Sequence, residues 1–299
     1  MRVPNVNIDV EHLETLLAVV DAGSFDDASI DLGVTASAVS QRIKALENRI
    51  GAILVIRSRP VIPTEQGYRV LRYARQMALL SAEFTREISA DAPLNVAIGV
   101  NADSLSTWFS PVFEQLADIE NLSVEILRTD ENRGLELLRS GRVSAVVTTT
   151  SQALQGCVSK KLGAMRYRAA AAPRIVERYL PRVDPEALVK TPMVVFDRED
   201  PLQYSMVARL AGQDRRPEAQ VHHVPDSLRY LCAVEAGMGW GMIPELQLAE
   251  ATGLKVLHED WFADVPLYLQ RWAVDSELLS KMDGILVTAA RQFGLHLIA

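Results

Sequence analysis

Apolar and polar positions change their period twice along this chain, and each change marks a new kind of structure. Leu13, Leu16, Leu17 and Val20 recur at i, i+3, i+4 and i+7, which predicts a helix from about Asp9 to Ala22 with one apolar stripe, ended by Gly23. Ser24 followed by Asp27 fits a capping box and opens a second, short helix to about Leu32. Gly33 then supplies a left-handed turn, and the Thr35 hydroxyl can cap a third helix. That helix places Ala38, Val39, Ile43, Leu46 and Ile50 on one face, leaving Ser37, Ser40, Gln41 and Lys44 on the other. Two short helices about a tight turn, backed by a third, form a helix-turn-helix whose outward polar face suits DNA better than a core. After Gly51, two short strands are expected, from Ile53 to Ile56 and from Pro60 to Ile62, with Arg57, Ser58 and Arg59 at the tip of a basic wing.

The helical period resumes from about Glu65 to Ser89, a helix about 37 Å long. Val70, Tyr73, Met77, Leu80 and Phe84 alternate spacings of three and four, which predicts a coiled-coil seam between two copies. Ser89-Ala90-Asp91-Ala92-Pro93 reads as a linker. From Leu94 the pattern becomes alternating strands and helices. Strands are expected from Leu94 to Val100, Leu122 to Leu127 and Val143 to Thr148, with helices from Ser104 to Ile119 and Arg133 to Ser140. A second set has strands from Tyr167 to Ala172, Met193 to Asp197 and Val221 to Val224, with helices near Leu202 to Ala211 and Ser227 to Ala236. Lys255 to Leu257 and Leu267 to Val274 would return as strands, and Glu277 to Leu295 would close as a helix. The fold class is therefore α/β, with the βαβ rhythm of a parallel sheet behind the N-terminal helices.

Ligands of open α/β sheets collect at strand carboxyl ends, beside free helix-start amides. That rule selects Asn101, Asp103 and Ser104 after the first strand, Thr129 and Asp130 after the second, and Thr148 after the third. It also selects Asp197 at the expected crossover between lobes and Ser227 at a later helix start. Helix-start amides with Ser104 or Ser227 could hold a carboxylate, and Asp103, Asp130 or Asp197 an ammonium. The excess of acids favours a cationic ligand, although each residue taken alone also suits a cap or turn.

Composition narrows these readings without redirecting them. The 299 residues are 48% hydrophobic and 23% charged, ordinary for a soluble protein of about two domains. The net charge of −7 opposes a nucleic-acid partner. Its distribution does not: between Arg42 and Arg75, eight basic residues stand against Glu47 and Glu65, and screening makes local charge decisive. The acidic N-terminal stretch lacks the basic start and apolar run of a signal peptide, and no segment suits a membrane span, so a cytoplasmic location is expected. Cys157 and Cys232 stand far apart, without a partner motif, and read as idle thiols rather than a disulfide or zinc site.

The stretch AGSFDDASIDLGVTASAVSQRIKALENRIGAILVIRSRPVIPTEQG resembles the N-terminal domain of LysR-type transcriptional regulators. The likeness rests on Gly23-Ser24-Phe25, Ala28, Leu32-Gly33-Val34, Ser37-Ala38-Val39-Ser40, Leu46-Glu47, Gly51 and Thr64-Glu65-x-Gly67. Val55 departs from the aromatic usual in that family. The resemblance implies a winged helix-turn-helix domain over residues 1–64, a dimerising linker helix over 65–89 and an effector domain over 90–299. It further implies two lobes of periplasmic-binding-protein type, lobe I at about 92–165 plus 268–299 and lobe II at about 166–267. Val100 to Trp108, Val195-Phe196-Asp197 and Met242-Ile243-Pro244-x-Leu246-Gln247 are similar to the branch that answers lysine and arginine and controls basic amino-acid export. The implied partners are double-stranded promoter DNA, a basic amino acid, a second copy or a dimer of dimers, and RNA polymerase. DNA contact is expected from Thr35, Ser37, Ser40, Gln41, Lys44, Arg57 and Arg59.

Competing readings fare less well. Gly237-Met238-Gly239-Trp240-Gly241 is not the spacing of a dinucleotide loop, and Pro244 arrives before a helix could follow. No hydrolase, zinc-protease or phosphate-loop motif occurs, so neither catalysis nor a cofactor is expected. The adjacent His222 and His223 would point to opposite faces of a strand, which argues against a shared metal ion, and His258 stands far along the chain. Trp108, Trp240, Trp261 and Trp272 are expected to pack. A solute-binding module whose N-terminal helices merely dimerise it, or a regulator with another effector, stays as the alternative. The basic cluster disfavours the former.

Overall fold

The computed structural model describes residues 8–89, 91–293 and 295–296. Residues 1–7, which bear on the signal-peptide expectation, Ala90 of the expected linker and Gly294 of the expected closing helix lie outside these. Helices α1 (Val10–Ala22), α2 (Phe25–Asp31) and α3 (Ala36–Ile50) pack around Leu13, Leu16, Val19, Ala28, Val39, Ile43 and Leu46. Val19 is the buried member of the last α1 turn, while Leu17 and Val20 are only half-buried. The Asp27 N–H donates to Ser24 Oγ at 3.0 Å, as expected, but the Asp27 carboxylate accepts the Ser24 hydroxyl at 2.6 Å instead of the Ser24 backbone amide. Thr35 Oγ1 accepts from Ala38 N at 3.1 Å, and the left-handed Gly51 ends α3.

The wing is shorter than its apolar run suggested. Strand β1 (Val55–Ile56) pairs antiparallel with β2 (Ile62–Pro63). The amides of Leu54 and Val55 are drawn instead to the Glu47 carboxylate, at 2.8 and 3.4 Å. Pro60 has no N–H, and Val61 donates to the Gly23 carbonyl at 2.8 Å, so pairing starts only at Ile62. Helix α4 (Glu65–Ile88) is capped by Thr64, which accepts from Gly67 N and donates to the Ile53 carbonyl at 2.7 Å. A side chain at residue 67 would put Cβ 2.0 Å from the Leu54 carbonyl oxygen, which explains the glycine in Thr64-Glu65-x-Gly67. One face of α4 enters the N-terminal core through Leu71 and Ala74 and the next core through Leu79. Tyr73, Met77, Leu80, Phe84 and Ile88 are exposed on another face. Val70 does not belong to that stripe: it packs against the N-terminal core.

The remaining chain runs β3 (Leu94–Asn101), α5 (Ala102–Ser106), α6 (Ser110–Ala117), β4 (Leu122–Thr129), α7 (Glu131–Ser140), β5 (Ala145–Thr148) and β6 (Cys157–Ala171). It continues through α8 (Pro173–Tyr179), α9 (Pro185–Val189), β7 (Met193–Val195), α10 (Leu202–Ala211), β8 (Val221–His223) and α11 (Ser227–Glu235). It ends with β9 (Gly241–Pro244), α12 (Glu245–Leu248), β10 (Lys255–Val256), β11 (Phe262–Trp272) and α13 (Glu277–Gln292). The main sheet has the order β10-β6-β11-β5-β3-β4, with β9 also on β6, while β7 and β8 pair separately.

Parallel pairing holds for β3 with β4 and β5 and for β7 with β8, whereas β6 with β9, β10 and β11, and β11 with β5, are antiparallel. The long pair β6 and β11 shifts its register between Leu267 and Tyr268, where Leu267 faces Gly163. The single helix expected from Ser104 to Ile119 is two, because Trp108 and Phe109 turn into the core and Pro111 starts α6 afresh. Trp108, Trp240, Trp261 and Trp272 are all buried, as packing residues should be. The Gly237–Gly241 run is packing as well: a Cβ at Gly239 would lie 2.4 Å from the Pro192 carbonyl oxygen, and one at Gly241 2.4 Å from the Tyr230 hydroxyl.

Candidate DNA-reading face and effector cleft

Helix α3 exposes Ser37, Gln41 and Lys44 on the side away from Val39, Ile43 and Leu46, with Ser40 half-buried beside them. Thr35 is exposed at its start, where its oxygen is engaged as the cap. Arg57 and Arg59 are exposed on the wing, and the Arg57 guanidinium lies 4.8 Å from the centroid of the Phe25 ring, a contact that positions it without using its N–H donors. The positive charge available to phosphate is smaller than the sequence count. Arg42 is ion-paired to Glu11 and Arg75 to Asp21, both on α1, and Arg69 is paired to Glu65. Arg72 turns away to the Gln155 carbonyl at 3.2 Å.

A second polar constellation sits where the lobes meet. Parallel pairing aligns the carboxyl ends of β3 and β4, setting Asn101 beside Thr129. The chain turns at Asn101 into α5, which carries Asp103, Ser104 and Ser106. One Asp103 oxygen accepts from the Tyr167 hydroxyl of β6 at 2.8 Å, and the other from Ser227 at the start of α11 at 2.6 Å. Gln247 of α12 donates to Ser106 Oγ at 3.1 Å and to Ser227 Oγ at 3.0 Å. Ser106 and Ser227 are themselves 2.9 Å apart. A hydroxyl has one hydrogen: Ser227 gives its own to Asp103, and that of Ser106 is shared between Ser227 and the Asp103 carbonyl at 3.2 Å. Four segments far apart in sequence are thus latched across one cleft.

The electrostatics are acidic. Burial holds the Asp103 carboxyl above the ordinary carboxylate range, against the pull of the Ser227 and Tyr167 hydrogen bonds. Asp200 is raised too, first by burial and then by the charges of Asp103 and Asp197, while hydrogen bonds from the Leu202 and Phe196 amides pull it down. Among the described residues, no cationic side chain hydrogen-bonds to Asp103 or Asp200. Buried oxygens of Asn101, Ser104, Thr129 and Gln247 lack a partner, unusual for groups this deep.

Of the strand-end candidates, the structure joins Asp103 and Ser227 directly and sets Asn101 and Ser104 beside them. Asp130 does not join: its carboxylate caps α7 by accepting from Arg133 N at 2.8 Å. Asp197 closes its own loop by accepting from the amides of Glu199 and Asp200. Buried Thr129 lies against Gly99 and Gly134, and buried Thr148 accepts from Thr150 N at 3.3 Å. The strand-end rule reaches Asp200, in the same turn as Asp197, but not Tyr167, Ser106 or Gln247. Gln247 would follow from the same rule had β9 been read, but the Gly-rich approach hid that strand.

A winged helix-turn-helix joined by a long helix to a two-lobed sensor with a buried polar cleft defines a ligand-responsive, DNA-binding transcription regulator. The model of the bacterial regulatory helix-turn-helix protein, lysR family, matches residues 10–68, and that of the LysR substrate binding domain matches residues 94–274. The chain belongs to the LysR family. It is 42% identical over 287 residues to the lysine export transcriptional regulatory protein LysG of Corynebacterium efficiens, covering 94% of this chain and 97% of that one. Full-length LysG of Corynebacterium glutamicum with bound effector Arg superposes with a TM-score of 0.81 at 37% identity, covering 96% and 99% of the two chains. ArgP of Mycobacterium tuberculosis superposes with a TM-score of 0.88 at 37% identity, covering 96% and 98%. Among the described residues, no helix is long and apolar enough to cross a membrane.

Proposed function

We propose that this protein regulates transcription, rather than catalysing a reaction, by changing promoter occupancy when lysine or arginine enters the cleft, and that its target is an exporter of basic amino acids. It would act in the cytoplasm as a homodimer or a dimer of dimers. The observation that carries the reading is Asp103, half-buried and held by the hydroxyls of Tyr167 and Ser227, with Asp200 near enough to feel its charge and no cation hydrogen-bonded to either among the described residues. Such a cleft repels anionic ligands and rewards an ammonium or guanidinium. Similarity to a regulator named for lysine export, and to one solved with arginine bound, supports the same ligand class.

Isothermal titration of Asp103→Asn tests it. Replacing a charge-assisted bond by a neutral one should weaken lysine and arginine binding about 10- to 100-fold, from ~1.5–3 kcal/mol per bond. Promoter binding without effector should survive. Unchanged affinity for both amino acids would remove Asp103 from the site.

A further inference from the structure

A cavity of about 780 Å³ lies between the linker helix α4 and helix α7 of the sensor, outside both sites above. Its size is that of a ligand pocket, ordinarily about 300 to 1,000 Å³. Arg69, Arg72, Arg133 and Arg139 line it, against the two carboxylates Glu65 and Glu136. Glu65 is already paired to Arg69 at 2.8 Å, which leaves Arg72, Arg133 and Arg139 facing Glu136. One end is closed by direct contact of the two helices: a Cβ on Gly141, the left-handed residue ending α7, would lie 2.7 Å from Arg72 Cα.

We propose that this joint binds a small, multiply charged phosphate-class anion, which would fix the angle between the DNA-reading head and the sensor. Arg72 alone reads as a strut, since it hydrogen-bonds the Gln155 carbonyl at 3.2 Å and lies over the Tyr73 ring. A strut explains neither its buried Nε without a partner nor why Arg133 and Arg139 have no counter-ion among the described side chains. Guanidinium groups lining one cavity from two facing helices match a phosphate better than a single carboxylate. A ligand held at once by α4 and α7 is coupled to any change in their relative position. DNA is the less suitable occupant, because the Arg72 Nε lies in a crevice between helices, where a duplex backbone cannot follow.

The test uses the full-length protein, inorganic pyrophosphate as probe and chloride at matched ionic strength as control. Pyrophosphate at millimolar concentration should raise the melting temperature of the wild type and bind by titration calorimetry. Arg133 and Arg139 are exposed, so the double variant Arg133→Gln/Arg139→Gln should fold with an unchanged melting temperature and bind pyrophosphate about tenfold or more weakly. Its promoter affinity without pyrophosphate should equal that of the wild type. A response no larger than that to chloride, or equal pyrophosphate affinity in the double variant, overturns the proposal. Loss of promoter affinity in the double variant, with no pyrophosphate binding by the wild type, would assign the arginines to DNA and overturn it as well.

Discussion

At the scale of single residues, the proposed function makes Asp103 the carboxyl that receives the cationic ligand, and so the group that sets how the cleft responds to acidity. Lysine and arginine keep their side-chain charge well above neutral pH, so their affinity follows the ionisation of the carboxyl that receives them. Because burial raises Asp103 in the empty protein, a cationic ligand entering near the acidic end of the range must drive off a proton. Affinity should therefore rise with pH through the elevated Asp103 titration and level off above it. Calorimetry in two buffers of different ionisation heat checks this by counting released protons; affinity that falls as pH rises would refute it. Folding runs in the opposite sense. A raised carboxyl contributes stability that is fully present below its unfolded-state value and is lost as pH rises through its folded value, and this holds for both Asp103 and Asp200. Glu125 and Asp264 are lowered by hydrogen bonds from Arg142 and Arg166, so their contribution is present above the ordinary carboxylate range and lost on acidification.

At the scale of elements, we propose that α3 and the wing divide the work of recognition. An amide on the groove-facing side of a helix can read a base edge, whereas a guanidinium stacked at a wing tip meets backbone common to every sequence. Gln41→Ala should cost about 1–3 kcal/mol of discrimination at one base pair and leave non-specific binding intact. Arg57→Ala should weaken all sequences alike and reduce the salt slope by about one. Competition binding across a salt series separates the two; equal loss of specificity in both variants would contradict the assignment. These elements were legible in the sequence because their determinants are local: Ser24, Thr35 and Thr64 cap within three residues, and Gly23 and Gly51 end helices by their own backbone angles. The strands β6 and β11 were legible only in part, since the first half of β6 carries Lys160, Lys161 and Gly163 and that of β11 carries Asp264 and Pro266, residues depleted in strands. The cleft was half legible as well. Asp103, Ser227 and the turn that holds Asp200 follow a strand-end rule, but Tyr167 lies mid-strand and Ser106 inside a short helix.

At the scale of the whole molecule, one reading head covers too few base pairs to define a promoter, so selectivity has to come from a second copy. Helix α4 is built to supply one. It anchors to the reading head through Leu71 and Ala74 and to the sensor through Leu79, while the Glu83 carboxylate accepts from Ser276 and the Leu278 amide at the start of α13. With two faces committed, Tyr73, Met77, Leu80, Phe84 and Ile88 form an exposed apolar stripe, with Phe84 at 62% exposure. A stripe of this length on one helix calls for an apolar partner, and a second α4 supplies one by symmetry. Phe84→Asp places a charge within that seam and touches neither core. Sedimentation velocity should show a monomer, and promoter affinity should fall by about 10²- to 10⁴-fold as the avidity of two heads is lost. Lysine and arginine binding to the cleft should persist, because the latch from Asp103 to Ser227 lies within one chain. A variant that remained dimeric with unaltered promoter affinity would show that the two heads are paired by another surface.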